Sequence, residues 1–308
     1  MTAAGPIEIN ASTRYCAVLG HPINHSASPA MQNAGIAALG LNWRYLALDV
    51  RPDTLRAAID GAKAMRFIGL NLTVPHKRLA LKFVDDLDAS AETWGAVNTI
   101  RFEARDARGE WQPLGGFSGD DPEEIRARGF NTDGDAIARA LREDLDLRLL
   151  RGAGVLLLGA GGAGHVAALK LASEGVGSLF LVNRTMQKAE EIAAEIRRRF
   201  PRQEVVVGYP ANSVDFMINA TSLGLRPEDP FPFDPKQFRL QQARAVYDMI
   251  YRPAETPLLR AAKAAGCRTA NGTGMLLHQG AKALEIWSGK TAPLEVMRHA
   301  LEQEVDGK

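Results

Sequence analysis

Val155-Leu156-Leu157-Leu158-Gly159-Ala160-Gly161-Gly162-Ala163-Gly164 begins at the midpoint of the 308-residue chain. The apolar run reads as a buried parallel strand that ends in a glycine-rich turn. The next segment, HVAALKLASEG, carries apolar residues at helical spacing and stops at Gly175. Strand, glycine turn and helix together are the context in which a G-x-G-x-x-G pattern holds a dinucleotide. Gly159 permits the tight turn, and Gly161 lets backbone N–H groups approach a pyrophosphate. Gly164, with Ala163 before it, lets the helix pack close to the strand. A helix N-terminus at this point favours phosphate charge. The competing reading, a turn that is small only for packing, is decided by what lies downstream.

A second strand, Ser178–Val182, runs into Asn183-Arg184-Thr185, with Lys188 one helical turn on. An NAD site carries Asp or Glu about 20 residues past the glycines, where it holds the ribose 2′-hydroxyl. Here a neutral Asn is followed by Arg. An acid would repel a 2′-phosphate, whereas Arg184 can grip one bidentately and stack on adenine. The chain therefore reads as binding NADP through Gly159, Ala160, Gly161, Gly162, Ala163, Asn183, Arg184, Thr185 and Lys188.

Bulk composition bounds the rest. With 46% hydrophobic and 24% charged residues, the chain reads as a globular protein with a sizeable core. The 37 basic and 36 acidic residues leave a formal charge of +1, which gives no general attraction to nucleic acid or membrane surfaces. MTAAGPIEIN is too polar for a signal peptide, and no stretch reaches the ~18 apolar residues of a spanning helix. Cys16 and Cys267 read as separate buried thiols, which suits a reducing compartment. The expectation is a cytoplasmic α/β protein that acts on a small molecule as a monomer or homodimer.

Strands near 15–20, 43–48 and 66–72 alternate with helices near 28–39, 53–64 and 77–87. After the glycine loop come strands near 178–182, 204–207, 215–219 and 245–248, and helices near 256–265, 275–288 and 293–304. This order predicts a two-domain α/β fold, with an N-terminal mixed-sheet substrate domain and a Rossmann domain. The first domain is expected over 1–132, completed by C-terminal helices at 270–308 that carry no strand of their own. The Rossmann domain is expected over 133–269. Clefts between domains favour small-molecule sites, so the active site is expected there.

Polar residues recur where strands end. In GHPINHSASP, Ser28 reads as a helix N-cap, and Ser26 with Ser28 forms a hydroxyl pair where an anion is welcome. In GLNLTVPHK, Asn71 and Thr73 point to one side of a strand. Lys77 then opens a helix, where the dipole disfavours it and some other reason for a lysine is needed. His76 has no second ligand at metal spacing and reads as structural, and no metal site is expected. GAVNT with Asn98 and GFNTDG follow, the latter with Thr132 or Asp133 as a helix cap. Near the C-terminus, NGTGMLLHQG places Gln279 about 1.4 turns into a helix.

These motifs, with GAGGAG–NRT and YDMIYRPAETPLL, occur in the order in which shikimate dehydrogenases carry them. The chain resembles that family nearly end to end. The resemblance implies that Ser26 and Ser28 bind a substrate carboxylate, and that Thr73, Asn98 and Gln279 contact ring hydroxyls with Tyr251 nearby. Asn71, beside Thr73, joins the expected substrate set. Lys77 and Asp133 would form the catalytic pair, with Lys77 as the leading acid/base. Met249 and Gly272 match positions that flank the nicotinamide. The implied reaction is NADP-dependent, reversible reduction of 3-dehydroshikimate to shikimate in aromatic amino-acid biosynthesis. A quinate/shikimate or aminoshikimate dehydrogenase is the alternative, and a non-catalytic NADP- or shikimate-binding regulator is a remote one.

The chain also departs from the family pattern. RFEARDARGEWQPLGGFSGDDPEEIRARGF replaces a short hairpin, and its excess reads as a surface extension. The stretch from Gly208 to Asp215 is too short for the helix common there. Gln32 stands where the family often has His.

Overall fold

The apolar runs become the central strands of two sheets. The computed structural model describes residues 9–117, 122, 124–147 and 149–307. The chain divides into two units, Met1–Thr132 with Gly280–Glu304, and Asp133–Gln279 with Val305–Lys308.

The first unit begins with β1 (Arg14–Gly20), α1 (Ser28–Ala38), β2 (Trp43–Asp49), α2 (Leu55–Ala64) and β3 (Gly69–Leu72). It continues with β4 (Asp86–Leu87), α3 (Ala89–Trp94), β5 (Thr99–Arg105), β6 (Trp111–Pro113) and β7 (Ile125–Phe130). The sheet order is β2-β1-β3-β5-β7-β4, with β6 added to β5. β1 runs parallel to β2 and β3, whereas β5 is antiparallel to β3 and β7, so the sheet is mixed as expected. α2 shows why the helices cover it. Leu55, Ile59 and Ala62 recur at helical spacing and are buried. They join Leu19, Leu70, Ile100 and Phe102 in one core, where each large aliphatic chain contributes about 1.5–3 kcal/mol.

The second unit contains α4 (Asp133–Asp144), β8 (Gly154–Leu158), α5 (Gly162–Ser173), β9 (Ser178–Val182), α6 (Met186–Arg199) and β10 (Glu204–Val207). β11 (Val214–Asn219), β12 (Ala243–Asp248), α7 (Pro257–Ala264) and β13 (Arg268–Asn271) follow. Every pairing among β8–β13 is parallel, in the order β10-β9-β8-β11-β12-β13. That is the Rossmann order, whose direction reverses between the first and fourth strands, here β8 and β11. α8 (Thr273–Ser288) passes from the second unit to the first between Gln279 and Gly280, and α9 (Leu294–Asp306) ends the chain. In the first unit, the wholly buried Trp287 of α8 donates its indole N–H to the Ile100 carbonyl at 2.9 Å. No helix among the described residues is long and apolar enough to cross a membrane.

Several expectations are corrected. The helix at 77–87 is absent. A single 3-10 turn, Leu79–Lys82, leads into the two-residue strand β4. The cause is non-local, because the Asp85 N–H donates to the Ala127 carbonyl at 2.8 Å and the segment joins β7 instead of coiling. The helix-dipole argument about Lys77 lapses with that helix. The strand expected from residue 66 begins at Gly69, because Arg66 is left-handed (φ 57°) as the chain leaves α2. Ser28 is not an N-cap. Ala27 holds that position without a side-chain cap, and the Ser28 N–H donates to Ser26 Oγ at 3.3 Å. A strand, β13, does precede the last helices, and its polar sequence RTAN at a sheet edge hides it from a reading of apolar runs. The two ends of that supposed surface extension are the sheet strands β5 and β7, where Phe102, Ala104 and Ala127 are buried, and β6 pairs with β5 between them. Residues 118–121 and 123 of that stretch, like residues 1–8, lie outside the described residues. No helix lies between β10 and β11, as the short Gly208–Asp215 segment implied.

His76 ties the turn after β3 to the core. It is wholly buried, and its Nε2–H donates to the Val50 carbonyl at 2.7 Å. Nδ1 has no hydrogen-bond partner among the described residues. Burial therefore holds the imidazole pKa below its ordinary value, because a second N–H would be left without an acceptor. A depressed folded-state pKa gives stability that is full above the ordinary imidazole value of ~6.5 and is lost as pH falls through the folded value. Urea unfolding across that range should show wild-type stability declining toward acid more steeply than that of His76→Gln. Equal slopes would show that His76 is not kept neutral by the fold.

Candidate functional site

In the first unit, the carboxyl ends of β1, β3 and β7 and the start of the antiparallel β5 meet at one end of the sheet. Leu19 is opposite Leu72, Asn71 opposite Thr99, and Thr99 opposite Phe130. The loops leaving this end carry Ser26, Thr73, Lys77 and Asn98, Ser28 opens α1, and Asn71 lies near the end of β3. Backbone bonds splice the loops together. The Thr73 N–H donates to the Leu19 carbonyl at 3.0 Å and the His21 N–H to the Val74 carbonyl at 3.1 Å. The Val97 N–H donates to the Lys77 carbonyl at 2.8 Å, which fixes the lysine backbone beside the Asn98 segment. His21 Nδ1 lies 2.6 Å from Asp49 Oδ1, and this hydrogen bond holds the exposed Asp49 carboxyl below its usual range.

Behind the loops is a buried amide–hydroxyl network. The Tyr45 hydroxyl donates to Asn71 Oδ1 at 2.7 Å, and Asn71 Nδ2 donates to Thr99 Oγ1 at 3.0 Å and to the Asn98 carbonyl at 3.2 Å. Asn98, 1% exposed, donates from Nδ2 to Thr132 Oγ1 at 2.9 Å and accepts the Thr132 N–H at 2.8 Å. Both Asn71 donors thus face the network. Asn98 fixes Thr132, the residue covalently before Asp133. Ser26 and Lys77 are partly exposed, while Ser28 is buried.

In the second unit, Asp133 opens α4 and is 2% exposed. A carboxylate in a first helical turn is favoured by the helix dipole. The glycine-rich turn behaves as two different glycine pairs. Gly159 has φ 104°, and a Cβ on Gly164 would lie 2.1 Å from the Gly159 carbonyl oxygen, so these two are fixed by the turn and by helix–strand contact. A Cβ on Gly161 or Gly162 would meet nothing within 4 Å. The protein's own packing does not require glycine there, and the open space lies at the α5 N-terminus, beside the switch between β8 and β11. That space suits a pyrophosphate on free N–H groups. Asn183 joins this turn to the next loop, accepting the Ala160 N–H at 3.1 Å and donating to the Thr185 carbonyl at 2.8 Å. Arg184, Thr185 and Lys188 are exposed around it, so the residues present fit a dinucleotide with a 2′-phosphate.

Met249 and Tyr251 follow β12. The Met249 N–H donates to the Asn219 carbonyl at 2.9 Å, and the Gly272 N–H donates to the Ile250 carbonyl at 3.1 Å. Gln279, in α8, donates to the Leu276 carbonyl of its own helix at 2.9 Å. Apart from Gln279, each expected residue is therefore at a loop, strand end or helix start of its own unit. Tyr45, Asn219 and Asp248 were missed, and Thr132 was read only as a helix cap. Each is a polar residue in or just past an apolar strand, and that position was the available signal. Among the described residues, no group of three or more His, Cys, Asp or Glu is placed to hold a metal.

Family profiles match three stretches of the chain. They are the shikimate dehydrogenase substrate binding domain over 18–100, shikimate/quinate 5-dehydrogenase over 143–223, and the shikimate 5′-dehydrogenase C-terminal domain over 272–302. A relative from Methanopyrus kandleri, shikimate dehydrogenase (NADP(+)), is 38% identical over 302 residues, covering 96% of this chain and 97% of the relative. A solved shikimate 5-dehydrogenase from Thermus thermophilus, in complex with NADP(H) and shikimate, superposes with a TM-score of 0.76 at 33% identity, covering 95% and 100% of the two chains. A quinate dehydrogenase from Corynebacterium glutamicum in complex with NAD gives a TM-score of 0.76 at 29% identity, covering 94% and 98%. The chain belongs to the shikimate dehydrogenase family.

The loop bearing Arg184 in the second unit yields a binding prediction. Removing a guanidinium that pairs with a phosphate loses charge-assisted hydrogen bonds, worth about 10- to 100-fold in affinity. By calorimetric titration, Arg184→Ala should weaken NADP⁺ binding by about that factor and leave NAD⁺ binding nearly unchanged. Equal loss for both nucleotides would show that Arg184 does not read the 2′-phosphate.

Proposed function

We propose that this chain is an NADP-dependent shikimate dehydrogenase that reversibly reduces 3-dehydroshikimate to shikimate in aromatic amino-acid biosynthesis. The observation that carries the reading is the convergence of Ser26, Ser28, Asn71, Thr73, Lys77 and Asn98 on one end of the first sheet. On this reading the first unit holds the substrate and the second holds NADP. Gly280–Glu304 join 1–132 in the substrate unit and 133–279 belong to the cofactor unit, so the boundary expected at 270 moves to the middle of α8 because β13 pairs with β12 in the second sheet. The neutral Asn183 followed by Arg184 supports NADP over NAD.

Oxidation of the secondary alcohol of shikimate breaks one C–H and one O–H bond. NADP⁺, when bound, supplies the hydride acceptor. Ser26 and Ser28 hold the carboxylate through their hydroxyls, which orients the ring. Thr73, Asn98 and Gln279 hold ring hydroxyls, with Tyr251 beside them, and Asn71 keeps Asn98 in place from behind. Lys77, working with Asp133, takes the hydroxyl proton during oxidation and returns it during reduction. In its ammonium form Lys77 also stabilises negative charge developing on the oxygen. Met249 and Gly272 would border the nicotinamide when NADP is bound. The buried free thiols Cys16 and Cys267 support a cytoplasmic location, and the enzyme works as a monomer or homodimer.

The test follows NADPH formation from NADP⁺ and shikimate. Lys77→Ala should lower kcat by roughly 10²–10⁴-fold with NADP⁺ binding retained, as expected when a positioned proton-transfer group is lost. Asp133→Asn should also lower kcat. Wild-type turnover that survives Lys77→Ala would remove Lys77 from the reaction, and binding of NADP⁺ without wild-type turnover would favour a non-catalytic role.

A further inference from the structure

Asp248, at the carboxyl end of β12, is a fully buried acid that takes no part in the proposed reaction. Its carboxylate gathers three segments of the second unit. Oδ1 accepts from Asn219 Nδ2, at the end of β11, at 2.9 Å, and from the Ile250 N–H at 3.1 Å. Oδ2 accepts from the Thr256 hydroxyl at 2.7 Å, and Thr256 is the N-cap of α7, where it also accepts the Leu259 N–H at 3.2 Å. None of these partners carries a charge. Burial pushes the Asp248 carboxyl up to about 6, against the three donors that favour the ionised form. A buried acid without a cation costs stability, and well-packed apolar residues usually serve a core at least as well. Retaining one here calls for a role in shape.

The bonds indicate what that role is. The Ile250 N–H bound by Asp248 belongs to the residue between Met249 and Tyr251. The Ile250 carbonyl in turn accepts the Gly272 N–H, and the Met249 N–H is held by the Asn219 carbonyl. The opposite face of Asn219 is also engaged, because its Oδ1 accepts from the Thr221 N–H at 3.0 Å and the Thr221 hydroxyl at 2.7 Å. Asp248 is therefore the common acceptor of a clamp that sets the backbone at 249–251 and, through Ile250, at Gly272. The loop carrying Arg184 follows β9, whereas the clamp joins the ends of β11 and β12 and the N-cap of α7; the glycine turn packs against Ala220, next to Asn219.

We infer that Asp248 is a positioning residue, whose carboxylate fixes the Met249–Tyr251 loop and Gly272 so that the nicotinamide end of the dinucleotide is held in register for hydride transfer. This rests on the NADP-dependent dehydrogenase reading. The variants are Asp248→Ala, which removes every acceptor, and Asp248→Asn. In Asp248→Asn the remaining oxygen can still serve Asn219 and Ile250 while the Thr256 hydroxyl turns to accept. NADP⁺ affinity by calorimetry and steady-state kcat with shikimate are measured on the full chain.

Asp248→Ala should lose about tenfold or more in kcat while the NADP⁺ Kd stays within about threefold, and Asp248→Asn should recover part of the rate, in line with the worth of hydrogen bonds to a charged acceptor. A merely structural role would not separate kcat from NADP⁺ affinity. Wild-type kcat in Asp248→Ala, or NADP⁺ binding lost in step with kcat in both variants, would overturn the inference. Absence of turnover in the wild type is a separate result, and it would refute the dehydrogenase reading on which the inference stands.

Discussion

A strand that ends inside a protein leaves polar groups that must find partners, and in this chain the partners are mostly one another. Asn71, Asn98, Thr99, Tyr45 and Thr132 close a buried network across three adjacent strand ends. Buried amides are costly when unpaired and rigid when fully paired, so this network is a fixed platform. The loops carrying Ser26, Thr73 and Lys77 are bonded to its rim through backbone groups. The side chains of Ser26, Thr73 and Lys77 are partly exposed at this end of the sheet. The same platform locks Thr132, and the next residue is Asp133.

The second unit solves a related problem with less material. A dinucleotide needs a turn that brings helix and strand together and still leaves room for phosphate. Gly159 and Gly164 meet the first need, at a contact too close for any Cβ, and Gly161 with Gly162 meets the second, in open space. One Gly-rich run thus contains glycines that the packing requires and glycines that it does not. Asn183 then ties the turn to the loop bearing Arg184.

Parallel strands are legible in the sequence because they are buried on both faces and stand out as continuous apolar runs, as at Val155–Leu158. Most of the site residues are legible because each stands at the end of such a run. What escapes is decided by partners distant in the chain. Residues 79–87 have the apolar spacing of a helix, but the β7 backbone captures Asp85 and draws the end of the segment into the two-residue strand β4. β13 is four largely polar residues at a sheet edge, a strand only because β12 offers a free edge. Ser28 has the composition and place of a cap, yet it is Ser26 that accepts a backbone N–H at the helix start. Asp248 sits unmarked inside a motif whose neighbours, Met249 and Tyr251, carry the resemblance to the family.

If the two units serve shikimate and NADP⁺ together, the pairing of substrate and nucleotide should be selective. The most direct experiment compares kcat/KM for the wild-type enzyme with shikimate or quinate, each with NADP⁺ or NAD⁺, from initial rates of reduced-nucleotide formation. A clear preference for shikimate with NADP⁺ is expected. Comparable turnover of quinate, or a preference for NAD⁺, would contradict this and place the chain with the quinate-oxidising members of its family.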